Sequence, residues 1–219
     1  MADNEIKNEA PAKSRFARGF SAFIDILILG ILFLFTSIPV FTMGVSAAAI
    51  YYAIHKSVFQ GRGYAWKEYF SAFKDNFKNG SIAGLIVLAL FGILGGIFYA
   101  VTDFSSGKII SGNFVLVIFA AFVLMWALVM FPFMARFENN LPAIMKSSAI
   151  IAVLNFAAPL ELFILMVPFG ALAYFLPGSI LVIPGFYMTL AHQVLEKVFR
   201  SYMSKEEREL EDARLEGTK

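Results

Sequence analysis

Long apolar runs alternate with shorter polar segments along this chain, and the lengths of the runs predict helices that cross a membrane. The first run, Phe20–Ile38, would rise roughly 28 Å as an α-helix, enough to cross a hydrocarbon core of ~30 Å. Pro39 ends this run, and Pro177–Gly178 divides a long apolar region near the C-terminus. The pattern predicts six spans, at Phe20–Ile38, Met43–Phe59, Ser81–Val101, Phe114–Phe133, Ala158–Leu176 and Ser179–Val194.

These runs predict an all-α fold, a polytopic membrane helix bundle with six transmembrane helices and amphipathic elbow helices on the cytoplasmic side. Polar segments flank the bundle at both ends of the chain. The predicted organisation is a polar cytoplasmic N-terminus at residues 1–19, a six-span membrane domain at 20–195, and a charged cytoplasmic tail at 196–219.

The polar segment Tyr64–Asn79 has the periodicity of an amphipathic helix, with aromatic side chains on one side and charged ones on the other. Such a helix suits the headgroup layer. It can serve as an elbow between two spans, as a docking surface for a partner or as a lipid sensor. A weaker form of this pattern recurs at Phe137–Met145. The candidate interface residues are Trp66, Tyr69, Phe70, Phe73, Asn76 and Phe77.

Composition supports a membrane protein over a soluble one. Hydrophobic residues make up 59% of the 219 positions and charged residues 16%, whereas soluble domains are nearer one half and one quarter. The chain contains no Cys, which excludes disulfides, thiolate metal sites and a cysteine nucleophile. The net charge of +2 gives no basic field for nucleic acid.

The distribution of Lys and Arg predicts the orientation in the membrane. With six spans and an internal N-terminus, 17 of the 18 basic residues fall on the cytoplasmic side, and Lys108 is the exception. A five-span order would move the basic residues of the C-terminal tail outside. We therefore expect a multi-pass protein of the cell membrane, embedded in the lipid bilayer, with both termini cytoplasmic.

Small residues and a proline turn mark expected helix contacts. Gly92 and Gly96 have the GxxxG spacing that lets two helix backbones approach in lipid, within one chain or in a homo-oligomer. Pro39, Thr42 and Gly44 form a turn between the first two spans, in which Thr42 is the expected N-cap of the second.

Few ionisable side chains lie within the predicted spans, where an unpaired charge costs ~2.5–3.5 kcal/mol on insertion scales. Those near the inner boundary are expected to form a structural ion pair, Asp25–Arg136 or Glu161–Arg136, or a polar pocket open to the cytoplasm. This polar cytoplasmic-edge set consists of Asp25, Arg136, Glu138 and Glu161.

The chain offers little catalytic chemistry. His55 and His192 are the two histidines; both lie near a predicted inner boundary, and we expect neither to have metal-ligand spacing to a carboxylate. The HExxH, P-loop and GxSxG patterns are absent from the sequence. We therefore predict no catalytic residues, no metal, no cofactor and no enzyme activity.

Two blocks of sequence, "SIPVFTMGVSAAAIYYAIHKSVFQGRG" and "WKEYFSAFKDNFKNG", resemble the YesL family of small bacterial membrane proteins. The resemblance includes the Pro–x–x–Thr–x–Gly turn, a Tyr–Tyr pair at Tyr51 and Tyr52, and the aromatic elbow. A later block, "FPFMARFENNL", is similar to the Pro–aromatic–x–x–Arg–Phe signature of that family.

The resemblance implies a role in carbohydrate uptake, because members of the family are encoded near ABC sugar importers in Gram-positive bacteria. It implies an accessory membrane protein that binds the membrane subunits of an ABC-type sugar importer or assists their assembly. Two alternatives remain open: a small sugar transporter or channel acting as a homo-oligomer, and a sensor partner of a membrane histidine kinase. The family contributes no catalytic residues.

Overall fold

The computed structural model describes residues 15–61, 63–102, 111–137 and 139–216, and every regular element in these ranges is a helix. Residues 1–14 of the predicted N-terminal segment, residues 103–110 of the loop before the fourth span, Glu138 and residues 217–219 of the predicted tail lie outside the described residues. The helices are α1 Arg15–Thr36, α2 Met43–Ala53, α3 Ala65–Asp75, α4 Phe77–Val101, α5 Ser111–Arg136, α6 Leu141–Leu154, α7 Ala157–Phe175, α8 Ile183–Tyr202 and α9 Lys205–Glu216. A π-helical segment, Ile54–Phe59, continues α2, and 3₁₀ segments at Val40–Thr42 and Pro177–Leu181 precede α2 and α8.

Four helices in the described ranges are long and apolar enough to cross a membrane, and only 17–22% of their residues are buried inside the protein. Exposed apolar surface of this extent suits contact with lipid. The fold is therefore that of an all-helical membrane protein, in agreement with four of the predicted spans. The four helices correspond to Gly19–Thr36, Phe77–Val101, Asn113–Arg136 and Ala157–Phe175.

The predicted second span, Met43–Phe59, is helical throughout, but it forms the centre of the protein. It packs against α1, α3, α4, α5 and α8, and Val45, Ala48 and Ile50 are completely buried. Small residues allow this close packing: a Cβ atom on Gly44 would clash with the ring of Phe131. Most apolar side chains of this segment therefore contact other helices of the protein.

The helices α4 and α5 form an antiparallel hairpin. At its closed end, the side-chain amide of Asn113 donates a hydrogen bond of 2.7 Å to the hydroxyl of Thr102. At the other end, where α4 begins and α5 ends, Gly80 packs against Met134. We call this the open end of the hairpin. Both helices are candidate spans, and a membrane crossed by both would separate these two ends.

The turn between α1 and α2 lies at the open end. A Cβ atom on Gly44 would lie 2.9 Å from the carbonyl oxygen of Gly80, and one on Gly84 would lie 2.9 Å from that of Phe41. The six-span order places the turn with Pro39 on the opposite side of the membrane from Gly80. These contacts place the start of α2 beside Gly80 and Gly84 of α4, and the described residues do not confirm the six-span order.

Thr42 has a different role from the predicted one. It directly precedes α2, but its hydroxyl makes no capping hydrogen bond to that helix. The hydroxyl can instead donate to the carbonyl oxygen of Thr36 at 2.5 Å or of Pro39 at 2.6 Å. Thr42 therefore stabilises the end of α1 and the turn after it.

The predicted packing pair Gly92 and Gly96 makes no such contact within the chain. A Cβ atom at either position would meet no atom within 4 Å. The close approach on α4 occurs one helix turn after it begins, at Gly80 and Gly84, which have the same spacing and face α2. A second close approach joins α1 to α8, where Gly30 lies against Gly185.

Candidate functional site

A group of polar side chains is enclosed at the open end of the α4–α5 hairpin. Its members come from α2 and its π-helical continuation, the last residue of α5, the middle of α8, and α9. We call this group the polar cluster; it consists of Tyr51, His55, Gln60, Arg136, His192, Glu196 and Glu211.

Local helix geometry brings these side chains together. His192 and Glu196 are four residues apart on α8 and so share one face of the helix. One turn further on, the buried ring of Phe199 packs edge-on against Tyr51 and Phe133. His55 lies in the π-helical segment, a local widening of the helix that is frequent at functional sites. Aromatic packing thus shields the cluster on one side.

Arg136 joins two carboxylates from different helices. Its Nη2 atom donates to Oε1 of Glu196 at 3.0 Å and to both oxygens of Glu211 at 2.7 and 2.6 Å. The expected pairs with Asp25 and Glu161 are therefore wrong. Asp25 is half-buried in α1, and Glu161 is exposed on α7.

The two histidines are in direct contact. Nδ1 of His55 lies 2.8 Å from Nε2 of His192, and the ring of His192 stacks on Phe59 with 4.2 Å between centroids. On its other side, Nε2 of His55 lies 3.2 Å from Oε1 of Glu211. A hydrogen bond from His55 and the positive charge of Arg136 lower the pKa of Glu211 to about 2, although burial opposes this. Glu211 is therefore ionised at neutral pH.

Three side chains of the cluster could hold a metal ion. Nitrogen atoms of His55 and His192 and a carboxylate oxygen of Glu196 all lie within 4.8 Å of one another. Sequence reasoning missed this set because it overlooked the four-residue spacing of His192 and Glu196. That spacing was the available signal, whereas the approach of His55 depends on the tertiary structure.

The C-terminal segment belongs to the cluster instead of forming a free solvated tail. α8 continues to Tyr202, and the side chain of Glu211 on α9 is only 10% exposed. Arg208 on α9 donates hydrogen bonds to the carbonyl oxygens of Ser201 and Met203. These bonds satisfy backbone carbonyl groups at the C-terminal end of α8 and hold α9 against that end.

The predicted aromatic interface on α3 is divided by the structure. Tyr69 is completely buried, and its hydroxyl lies 2.5 Å from the hydroxyl of Thr36. Phe73 is half-buried beside it, and the amide of Asn76 donates to the carbonyl of Ala72 at the end of α3. Tyr69 is therefore an anchor for α3 and is inaccessible to a partner.

The remaining aromatic side chains of the predicted interface form an exposed patch. Trp66, Phe70 and Phe77 are 47%, 40% and 44% exposed. Lys56 at the end of the π-helical segment pairs with Glu68 at 2.8 Å and fixes α3 from the other side. We call the three exposed side chains the aromatic patch.

An apolar cleft between α5, α6 and α7 is a further cavity, with a volume of about 250 Å³. Trp126 lines the cleft, and its indole nitrogen donates a hydrogen bond of 3.1 Å to the hydroxyl of Ser148. This bond satisfies the polar atom of the Trp126 side chain. The other lining side chains are apolar and suit a hydrocarbon chain. They are Phe122, Val123, Met125, Ala149, Ala152, Val153, Phe156 and Pro159.

Comparison with known proteins gives one match. Residues 26–96 match a family described as a protein of unknown function, DUF624. This region holds the second half of α1, all of α2 and α3, and most of α4, so it includes His55 and the aromatic patch. No curated protein and no solved structure matches the chain. The chain is thus similar, over this region, to a protein family whose function is unknown.

Proposed function

We propose that this protein is an accessory integral membrane protein of carbohydrate uptake, which binds the membrane subunits of an ABC-type sugar importer or assists their assembly. The resemblance to the YesL family supports the class of partner. The observation that carries the proposal is the aromatic patch. α3 is fixed on one side by Tyr69, which is buried, while Trp66 and Phe70 on its other side remain exposed.

The chemistry of the patch suits a protein partner. Tryptophan and other aromatic residues are enriched at interfaces because they bury a large area with few rotatable bonds. The ammonium group of Lys67 lies over the ring of Trp66, 5.4 Å from its centroid, and Lys74 follows on the same helix. An apolar groove with an acidic rim, offered by an importer subunit, would complement this surface.

We further propose that the open end of the α4–α5 hairpin faces the cytoplasm. The segments at that end carry Lys67, Lys74 and Arg136, whereas the loop at the closed end contains Lys108. Basic residues favour the cytoplasmic side of a bilayer. In this orientation the aromatic patch, the polar cluster and α9 all face the cytoplasm.

The alternative of a small sugar transporter lacks a comparable observation. A sugar-binding site needs several polar protein groups that form hydrogen bonds with the hydroxyl groups of the sugar. A site that leaves these hydroxyl groups unpaired loses affinity. The cleft between α5 and α7 is lined by apolar side chains. It therefore gives no support to sugar binding.

Co-purification tests the proposal. Tagged protein solubilised in mild detergent should capture a membrane subunit of a sugar ABC importer, identified by mass spectrometry. Trp66→Ala combined with Phe70→Ala should reduce the captured amount at least tenfold. Phe119→Ala is the matched control, because Phe119 is a 58% exposed aromatic residue on a candidate span. It should leave capture unchanged.

Uptake and flux measurements decide between the candidates. Deletion of the protein should slow uptake of the sugar carried by the captured importer. Absence of any importer subunit from the captured material, together with unchanged uptake after deletion, would refute the proposal. Sugar flux through proteoliposomes that contain this protein alone would instead favour the transporter.

A further inference from the structure

The polar cluster contains three possible metal-ligand atoms that lie close together. Nδ1 of His55 and Nε2 of His192 are 2.8 Å apart, and Oε2 of Glu196 lies 3.8 Å from each. All three side chains are largely buried. We propose that His55, His192 and Glu196 form a binding site for a divalent first-row transition metal ion of the Zn²⁺ type.

The spacing of these atoms is close to that of a tetrahedral site. Zn–N and Zn–O bonds of about 2.0–2.1 Å place neighbouring ligand atoms about 3.3 Å apart. The two ring nitrogens of His55 and His192 need to separate by about 0.5 Å, and Oε2 of Glu196 needs to approach each by a similar amount. Rotations of the side chains supply such changes while the helices keep their places.

The proton of the His55 ring is held on the side away from the proposed site. Arg136 binds both oxygens of Glu211, which is therefore a carboxylate and can only accept hydrogen bonds. Since Glu211 lies 3.2 Å from Nε2 of His55, that nitrogen carries the hydrogen and Nδ1 presents a lone pair. The amide nitrogen of Gln60 lies 2.8 Å from the same Nε2, and a 180° rotation of this amide places its oxygen there as an acceptor. Histidine ligands of metals commonly donate their second N–H to a carboxylate in this way.

His192 can carry its ring proton on Nδ1, which is the tautomer opposite to the one proposed for His55. Its residue is 4% exposed, and Nδ1 is buried without a hydrogen-bond partner. A metal would replace the hydrogen bond between Nε2 of His192 and Nδ1 of His55, and Nε2 can bind it once the ring proton of His192 lies on Nδ1. Without a metal, Nε2 donates its hydrogen to Nδ1 of His55.

The charges of the cluster are compatible with a bound cation. Glu196 and Glu211 carry two negative charges and Arg136 one positive charge, so with neutral imidazoles these groups sum to −1. Arg136 binds Oε1 of Glu196, which leaves Oε2 directed at the rings and within 3.0 Å of the Tyr51 hydroxyl. Three protein ligands leave a fourth position for water. The metal would link the π-helical segment to α8.

Zinc binding by the full-length protein tests this site. The chain has two His and no Cys, so any imidazole bound to metal must come from these residues. Protein prepared with a histidine-free affinity tag and stripped with a chelator should bind one Zn²⁺ per chain. X-ray absorption of the zinc complex should show two imidazole ligands. Both measurements use the unmodified sequence and so do not depend on whether a variant folds.

Variants identify the ligands and the supporting carboxylate. His192→Gln should lower Zn²⁺ affinity at least tenfold, and Glu211→Gln should lower it about 10- to 100-fold through loss of the support to His55. Asp212→Asn is the matched control on α9, because Asp212 is exposed and pairs with Arg200. It should leave affinity unchanged in protein with the same helicity and elution volume.

Two results would overturn the site: zinc binding well below one ion per chain, or a zinc spectrum without imidazole. Equal loss of affinity in Glu211→Gln and Asp212→Asn would also contradict the supporting role of Glu211. These outcomes are independent of importer binding, because the aromatic patch shares no residue with the proposed metal ligands.

Discussion

Arg136 bridges two carboxylates at the end of α5, and its charge is largely shielded from solvent. The side chains of Arg136, Glu196 and Glu211 are 17%, 15% and 10% exposed. A buried ion pair contributes little over an apolar replacement of the whole pair, but removal of one partner leaves an uncompensated charge. Loss of Arg136 would strand two carboxylates beside each other.

We therefore expect Arg136→Gln to lower the free energy of unfolding by about 3–5 kcal/mol. Arg200→Gln is the matched control, because the Arg200–Asp212 pair is 38% and 54% exposed and such pairs contribute about 0–1 kcal/mol. Thermal unfolding in detergent, followed by helicity, measures both. Similar losses in the two variants would mean that Arg136 is solvated to the same degree as Arg200.

The need of Arg136 for an acidic partner was predictable from sequence, because an apolar helix ends at that residue. The identity of the partner was not. Glu196 and Glu211 lie 60 and 75 residues further along the chain, and Glu211 belongs to a charged segment that reads locally as a solvated helix. Asp25 and Glu161 were closer to the expected depth, but depth alone does not specify which helix faces are in contact.

At the scale of single helices, α4 carries two pairs of glycines with the same spacing and different surroundings. Gly80 and Gly84 meet the backbone of α2 and of the turn before it, whereas Gly92 and Gly96 meet nothing within 4 Å. The GxxxG pattern indicates that a close approach is possible. The position of the neighbouring helix decides which of the two glycine pairs makes a close contact.

Gly84→Ala should destabilise the protein by about 1–3 kcal/mol, because the new methyl group would lie 2.9 Å from the carbonyl oxygen of Phe41. Gly92→Ala adds the same group to the same helix in open space and should leave stability unchanged or slightly raised. Unfolding of both variants in detergent measures the difference. Comparable losses would instead show that the face with Gly92 is covered, for example by a second copy of the chain.

The sequence predicts the existence of the helices well because helix length and hydropathy are local properties. It predicts less well which helices meet lipid. Met43–Phe59 is as apolar as a span, yet most of its side chains are buried against five neighbouring helices. An apolar run of this length is compatible both with contact with lipid and with burial inside the protein. In α8 the charged second half, with Glu196 and Arg200, serves the polar cluster and the contact with α9.

For the whole molecule, the described polar chemistry is concentrated at one end. α3, the polar cluster and α9 all lie where α4 begins and α5 ends. The closed end of the hairpin is marked by the Asn113–Thr102 hydrogen bond. In the proposed orientation this end is the cytoplasmic one, because Lys67, Lys74 and Arg136 belong to segments at the open end and basic residues favour the cytoplasmic side.

The position of the α1–α2 turn distinguishes the observed packing from the six-span order. The contacts of Gly44 with Phe131 and Gly80 place the turn at the open end, whereas six alternating spans place it outside. The chain has no Cys, so single cysteines can be labelled without background. Val40 is 56% exposed in this turn and is a suitable position.

We expect Val40→Cys to resist a membrane-impermeant maleimide in intact cells and to react in inverted vesicles, because the proposed orientation places the open end of the hairpin, and with it the start of α2, on the cytoplasmic side. Lys67→Cys should behave in the same way, and Lys108→Cys should react in intact cells. These two controls define the two sides of the membrane. Reaction of Val40→Cys in intact cells, at the level of Lys108→Cys, would restore the six-span order. It would also require Gly44 to lie apart from Phe131, since both the proposed orientation and the six-span order place the end of α5 on the cytoplasmic side.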